Sequence, residues 1–194
     1  MKCPLTGLIA GIDEAGRGPL AGPVVSSCVV WKGIPDKNPG VHDSKLLTAK
    51  EREHVISWIV QNAYRVGVGI ATNDEIDSIN ILQASILSMD RAFIDAGIIP
   101  DVLLIDGRYG INSFPNGKAI VRGDRKCFYI ACASIVAKVV RDTIMVMYDH
   151  LYPRYNFKRN KGYPTKDHKE AIRIYGITPI HRKTFRGIRE HCEH

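Results

Sequence analysis

An α/β domain built on a mixed sheet is the fold class that the sequence predicts, on three observations. Two apolar runs, residues 5–12 and Val24 to Trp31, carry residues suited to strands and are separated only by a turn marked with glycine and proline. Later short apolar runs alternate with segments of helical period, two of which open on a capping signature. Hydrophobic residues make up 45% of 194 residues, enough for one well-filled core with a small appendage.

The elements follow in order. Residues 5–12 read as a continuous strand, and the short connection to Val24–Trp31 predicts an antiparallel pair. After a polar stretch from Lys32 to Asp43, Thr48 and Glu51 form a capping box that opens a helix of about 12–14 residues. Tyr64 to Ala71 alternates as a strand. Thr72 and Glu75 form a second capping box, and the spacing of Ile79, Leu82, Ile86 and Met89 predicts one helix up to Gly97. Asp101 to Ile105 is a short buried strand that ends in Asp106-Gly107. Residues 107–117 read as loop, and Lys118 to Val121 as a brief strand before Gly123-Asp124. A long helix is predicted from about Cys127 to Leu151, packed closely through Ala131, Ala133 and Ala137, with Ser134, Lys138, Arg141 and Asp142 on a polar stripe. A last helix is predicted from Thr165 to Tyr175.

Charge is unevenly spread. The chain has a formal charge of +7, and residues 151–194 hold 11 basic against 4 acidic side chains, so the whole excess lies in that segment. A basic segment without a large apolar face suits a polyanion, nucleic acid before membrane, although a solvated surface gives the same composition. Five scattered cysteines without a C-x-x-C pair argue against a disulfide framework or a zinc site and for a reducing compartment. No signal pattern and no bilayer-length apolar stretch occurs, so a cytoplasmic protein without a membrane partner is expected. Residues 1–151 are expected to form the main domain, and residues 152–194 a basic extension of the same globule that contributes to substrate binding.

Chemistry concentrates at Gly11-Ile12-Asp13-Glu14-Ala15-Gly16-Arg17-Gly18-Pro19. Adjacent carboxylates at the end of an apolar strand repel, and a divalent cation is the economical neutraliser. Asp106 occupies the same setting, the polar residue that ends a short strand before glycine. If the two strands are neighbours the acids converge, and Glu14 joins them provided that the chain leaves regular pleating there, because successive strand residues face opposite ways. Taken alone, Asp13 and Asp106 also suit turns, Asp124 also suits a helix cap, and Asp142 also suits a surface pair with Lys138 or Arg141. Gly16-x-Gly18-x-x-x-Gly22 is one residue too long for a dinucleotide fingerprint, and prolines interrupt the helix that should follow.

These residues, with Asp43-Ser44-Lys45, Ile105-Asp106-Gly107, Gly123-Asp124, Ala133-Ser134-Ile135-Val136-Ala137-Lys138, Arg141-Asp142 and Gly162-Tyr163-Pro164-Thr165, resemble the motifs of bacterial ribonuclease HII in order and approximate spacing. The resemblance implies a ribonuclease H-like fold, a mixed five-stranded sheet flanked by helices, with a small helical C-terminal extension. It implies cleavage of RNA within RNA–DNA hybrids and 5′ of single ribonucleotides embedded in duplex DNA, by two divalent ions, Mg²⁺ or Mn²⁺. Carried over by position, Asp13, Glu14, Asp106 and Asp124 match the catalytic and metal-binding acids. Gly16, Arg17 and Gly18 match the segment that reads the ribose 2′-hydroxyl, Tyr163 the aromatic that stacks at the junction, and Ser44 and Lys45 phosphate-contacting positions. Two departures stand out: Leu46 where a second lysine is usual, and Arg108 where asparagine is common. A monomer is expected, and a contact with a replication clamp is left open. The rival class is a non-catalytic nucleic-acid-binding module, for which binding is salt-sensitive and indifferent to metal.

Overall fold

The computed structural model describes residues 7–35, 39, 41 and 48–192. Ser44, Lys45 and Leu46 therefore lie outside the described residues. The elements are β1 (Leu8–Ala15), β2 (Val24–Lys32), α1 (Ala49–Asn62), β3 (Arg65–Ala71), α2 (Asn73–Ala96), β4 (Val102–Asp106), β5 (Lys118–Ile120), α3 (Phe128–Leu151), α4 (Phe157–Asn160) and α5 (Lys166–Tyr175). The strands form one sheet in the order β3-β2-β1-β4-β5. β1 pairs antiparallel with β2 and parallel with β4, so the sheet is mixed, as expected.

Strand alternation divides the core into two layers. Ala10, Ile12, Cys28 and Val30 face α2 through Met89, Ala92 and Phe93, whereas Ile9, Val29 and Trp31 face α1 and α3. Trp31 stacks on Trp58 and meets Phe128, which ties α1 and α3 to the sheet. α3 lies directly on β1 because Gly11 has no side chain: a Cβ there would come within 2.2 Å of the Tyr129 carbonyl group. That close approach brings the polar residues of α3 to the end of β1.

Both capping boxes form as the sequence predicts, at Thr48/Glu51 and Thr72/Glu75. α2 departs from the single regular helix expected. Asn80 takes φ 68° and kinks it, and its side-chain oxygen accepts from the amides of Leu82 and Gln83, so the chain caps a second helical segment in mid-course. The signal was present as Asn80 followed three residues later by Gln83. β1 also runs further than the predicted 5–12, through Asp13 and Glu14 to Ala15, because β2 continues to pair with it.

A third cluster, built from Leu20, Ala21, Met145, Phe157, Ile172 and Ile180, packs the C-terminal segment against the end of α3 and against the turn between β1 and β2. Main-chain bonds from Leu20 to Gly162, from Gly22 to Ile180 and from Arg182 to Leu20 knit the same three segments. The C-terminal segment is thus part of the floor beneath the turn.

Candidate active site

Parallel pairing of β1 with β4 ends at Ile12 opposite Ile105, which leaves Asp13 and Asp106 side by side where the two strands stop pairing. Asp13, Glu14 and Asp106 each offer a carboxylate oxygen to a group that lies within 4.8 Å. Glu14 reaches it without the break in pleating that the sequence argument required, since β1 is regular through Ala15. The reason is that no strand among the described residues pairs with β1 beyond Ile12 on the β4 side, so side chains from either face reach the gap past the end of β4.

The group is partly buried, with Asp13 the most enclosed, and strained electrostatically. Asp13 is 5% exposed, and loss of solvent pushes its carboxyl well above the usual carboxylate range, with the charges of Glu14 and then Asp106 adding to the effect. A hydrogen bond from Ser134 of α3 opposes this, as does the amide of Glu14, 2.7 Å from Asp13 Oδ1. Burial also raises Glu14, against the pull of Arg17, whose Nη1 is 3.4 Å from Glu14 Oε1. Glu14 Oε2 is buried with no hydrogen-bond partner among the described residues. Three converging carboxylates, one of which has a buried oxygen without a hydrogen-bond partner among the described residues, are a donor set suited to Mg²⁺ or Mn²⁺. Asp13, Glu14 and Asp106 are therefore the residues that could hold a metal.

Asp106 is oriented by the Gly123 amide, 2.6 Å from its Oδ1. Asp124 follows at once in a 3₁₀ turn, Gly123–Arg125, and is buried. It does not occupy the helix-cap position that its local sequence also suits, because the N-cap of α3 is Cys127. Its carboxylate stands outside the 4.8 Å group, next to the peptide that holds Asp106.

Two cavities open on the acids. One, of about 450 Å³, is lined by Glu14, Gly16, Arg17, Gly18, Lys138 and Tyr163. The other, of about 350 Å³, is lined by Leu82 and Ile86 of α2 on one side and by Glu14, Arg17, Asp106 and Arg108 on the other. Tyr163, 43% exposed, faces Gly18 across the first, with its ring 3.7 Å from where a Cβ would stand. The structure thus brings Asp13, Glu14, Asp106, Gly16, Arg17, Gly18 and Tyr163 to one cleft. Asp142 pairs with Lys138 at 2.5 Å, the helix-surface pair that the spacing suggests. Arg141 is a correction: placed on the polar stripe by its spacing, it is buried, because the turn and the C-terminal segment fold over that part of α3. Arg182 was missed altogether, since a buried arginine in a basic segment looks like any surface one.

A mixed sheet with acids gathered past the ends of adjacent parallel strands defines a ribonuclease H-like hydrolase. A family model described as ribonuclease HII matches residues 10–188, and the chain belongs to the ribonuclease HII family, metal-dependent endoribonucleases with ribonuclease H activity. It is 52% identical to ribonuclease HII of Clostridioides difficile over 91% of this chain and 69% of that one. Against the Wolbachia enzyme it is 48% identical over 95% of this chain and 90% of the other. Among solved structures, ribonuclease H2 of Pyrococcus horikoshii OT3 superposes with a TM-score of 0.76 at 28% identity, covering 94% of this chain and 96% of that one. Archaeoglobus fulgidus RNase HII, solved in complex with PCNA, shares the fold with a TM-score of 0.77 at 22% identity, covering 92% and 95%. No described helix is long and apolar enough to cross a membrane.

Proposed function

We propose that this protein hydrolyses the RNA strand of RNA–DNA hybrids and cuts 5′ of single ribonucleotides embedded in duplex DNA, with two divalent cations, Mg²⁺ or Mn²⁺. The observation that carries the reading is the juxtaposition of the Asp13–Glu14–Asp106 group with the cavity lined by Gly16, Arg17, Gly18 and Tyr163. Bound divalent cations supply activation of water and stabilisation of the leaving 3′-oxygen, which leaves a 5′-phosphate product.

The chain's own residues supply binding and selection. Asp13, the most buried of the three and raised by the charges of both Glu14 and Asp106, would be the ligand shared by the cations, and Glu14, Asp106 and Asp124 would complete the ligand set. Ser134 and the Glu14 and Gly123 amides orient these carboxylates before any ligand arrives. The Gly16-Arg17-Gly18 turn lets main chain approach the ribose, whose 2′-hydroxyl is the group that distinguishes RNA from DNA. Tyr163 offers a face for stacking on the sugar beyond the junction. Ser44 and Lys45 are proposed phosphate contacts, and the basic segment 152–194 is proposed to add non-specific affinity.

The test is a duplex DNA carrying one ribonucleotide, incubated with Mg²⁺, Mn²⁺ or EDTA, with the cut mapped to the nucleotide. The expected product is a single break 5′ of the ribonucleotide, absent in EDTA. Salt-sensitive binding with no metal-dependent break overturns the reading in favour of a binding module.

A further inference from the structure

Beneath the turn between β1 and β2 lie two arginines that the proposed chemistry does not use. Arg141 of α3 and Arg182 of the C-terminal segment are 1% and 0% exposed. Neither forms a salt bridge among the described residues. Their donors go to main-chain carbonyls instead. Arg182 donates from Nη2 to Gly16 at 2.6 Å and Pro23 at 3.2 Å, from Nη1 to Arg17 at 3.0 Å, and from Nε to Gly22 at 2.9 Å. Arg141 donates from Nε to Pro23 at 3.0 Å, from Nη2 to Ala21 at 3.2 Å, and from Nη1 to Lys161 at 3.0 Å.

Peptide planarity turns this into a statement about the cleft. In a trans peptide the C=O and the following N–H point in opposite directions. The Gly16 and Arg17 carbonyls are directed inward at Arg182, so the amides of Arg17 and Gly18 are directed away from it, on the side where these residues line the cavity with Tyr163. Neither amide donates to a main-chain carbonyl among the described residues. Gly16 itself, at φ +100°, rests on Arg141: a Cβ there would lie 2.0 Å from Nε.

We propose that Arg141 and Arg182 are positioning residues of this turn, gripping its carbonyls from below and so aiming the Arg17 and Gly18 amides at the ribose 2′-hydroxyl. The inference rests on the function proposed above. A guanidinium suits the task because its five donors lie in a rigid fork, whereas a lysine has three donors on one point and cannot span carbonyls five to seven residues apart. Burial lowers both pKa values, to about 10 for Arg141 and about 9 for Arg182, where the Arg141 charge adds to the effect. Both remain cations at neutral pH and place positive charge behind a turn that faces a polyanion.

Arg182→Lys keeps the charge and loses the fork. Cutting of a duplex with one ribonucleotide is compared between wild type and variant, beside the affinity of each for the all-DNA duplex and the Mn²⁺ concentration that gives half the maximal thermal shift. The expected result is a loss of at least about tenfold in kcat/KM, the scale of one misdirected hydrogen bond, with the other two readouts within about twofold. An unchanged kcat/KM overturns the proposal, and so does an equal loss in all three, which marks a merely structural role. Failure of the wild type to cut overturns the proposed function and the ribose-reading role of the turn with it. If Arg182→Lys does not fold, amide exchange on the wild type in EDTA decides: the Arg17 and Gly18 amides are expected to be protected at least about fivefold more by the ribonucleotide duplex than by the all-DNA duplex. Equal protection overturns the assignment.

Discussion

Replacing Asp13 by asparagine should stabilise this protein while destroying its activity. Asp13 sits within 4.8 Å of two other carboxylates, and one pair of unit charges at that range repels by about 3–4 kcal/mol at an effective dielectric of ~20. Part of this is already relieved, because burial and those two neighbours raise the Asp13 pKa and favour a bound proton. The sign follows from linkage. A carboxyl whose folded pKa is raised contributes stability below its unfolded pKa, and that stability is lost as pH rises through the folded value, so the metal-free wild type weakens with rising pH. At pH 8 the substitution should therefore recover about 1–2 kcal/mol, a rise in Tm of roughly 2–8 °C for a chain of this size. Melts in EDTA at pH 6 and pH 8, repeated with Mn²⁺, check it beside the cleavage assay. Wild type should gain stability from Mn²⁺, the variant should not, and cutting should fall by at least about a thousandfold, or about 4 kcal/mol. A variant that melts below wild type in EDTA and still responds to Mn²⁺ would refute the reasoning.

Gly11→Ala forces α3 off β1, since its Cβ meets the Tyr129 carbonyl group at 2.2 Å; a loss of about 2–4 kcal/mol in urea unfolding is expected, and a neutral result contradicts the close-packed interface. Tyr163→Ala should slow cutting at a single ribonucleotide by roughly 5–150-fold, the value of one stacking contact, while duplex affinity changes less. Equal losses in both count against a junction-reading role. His181 accepts from the Thr178 amide at 2.9 Å and meets His168 at 3.1 Å, and burial, with the His168 charge adding, lowers its pKa to about 4 from 6.5. A depressed histidine pKa means that the unfolded chain takes up the proton first. Stability should thus be full above pH 6.5 and fall by about 3 kcal/mol as pH drops to 4. Urea melts across that range should show the slope in wild type and a shallower one in His181→Gln.

Local signals settled much of the architecture. Both capping boxes, the period of α1 and α3, and the alternation of β3 depend on residues within one or two turns of each other, and these formed where the sequence placed them. Asp13 and Asp106 were legible as candidate ligands because each ends an apolar strand before glycine, and the acids of the site were marked by the same local grammar. Tertiary structure decided the rest. Whether Asp13 and Asp106 meet depends on which strands pair, and the parallel register of Ile12 with Ile105 brings together residues 93 positions apart. Glu14 joins them because β4 stops, a fact about a neighbouring strand rather than about pleating in β1. Arg141 reads as part of a polar stripe and Arg182 carries no signal of its own within the basic segment, since arginine in a basic or polar stretch is normally solvated. Only the folded chain supplies the carbonyls of a distant turn that make their burial tolerable. Short-range order follows from backbone and neighbouring side chains, whereas burial and charge pairing depend on parts of the chain that meet only when it closes on itself.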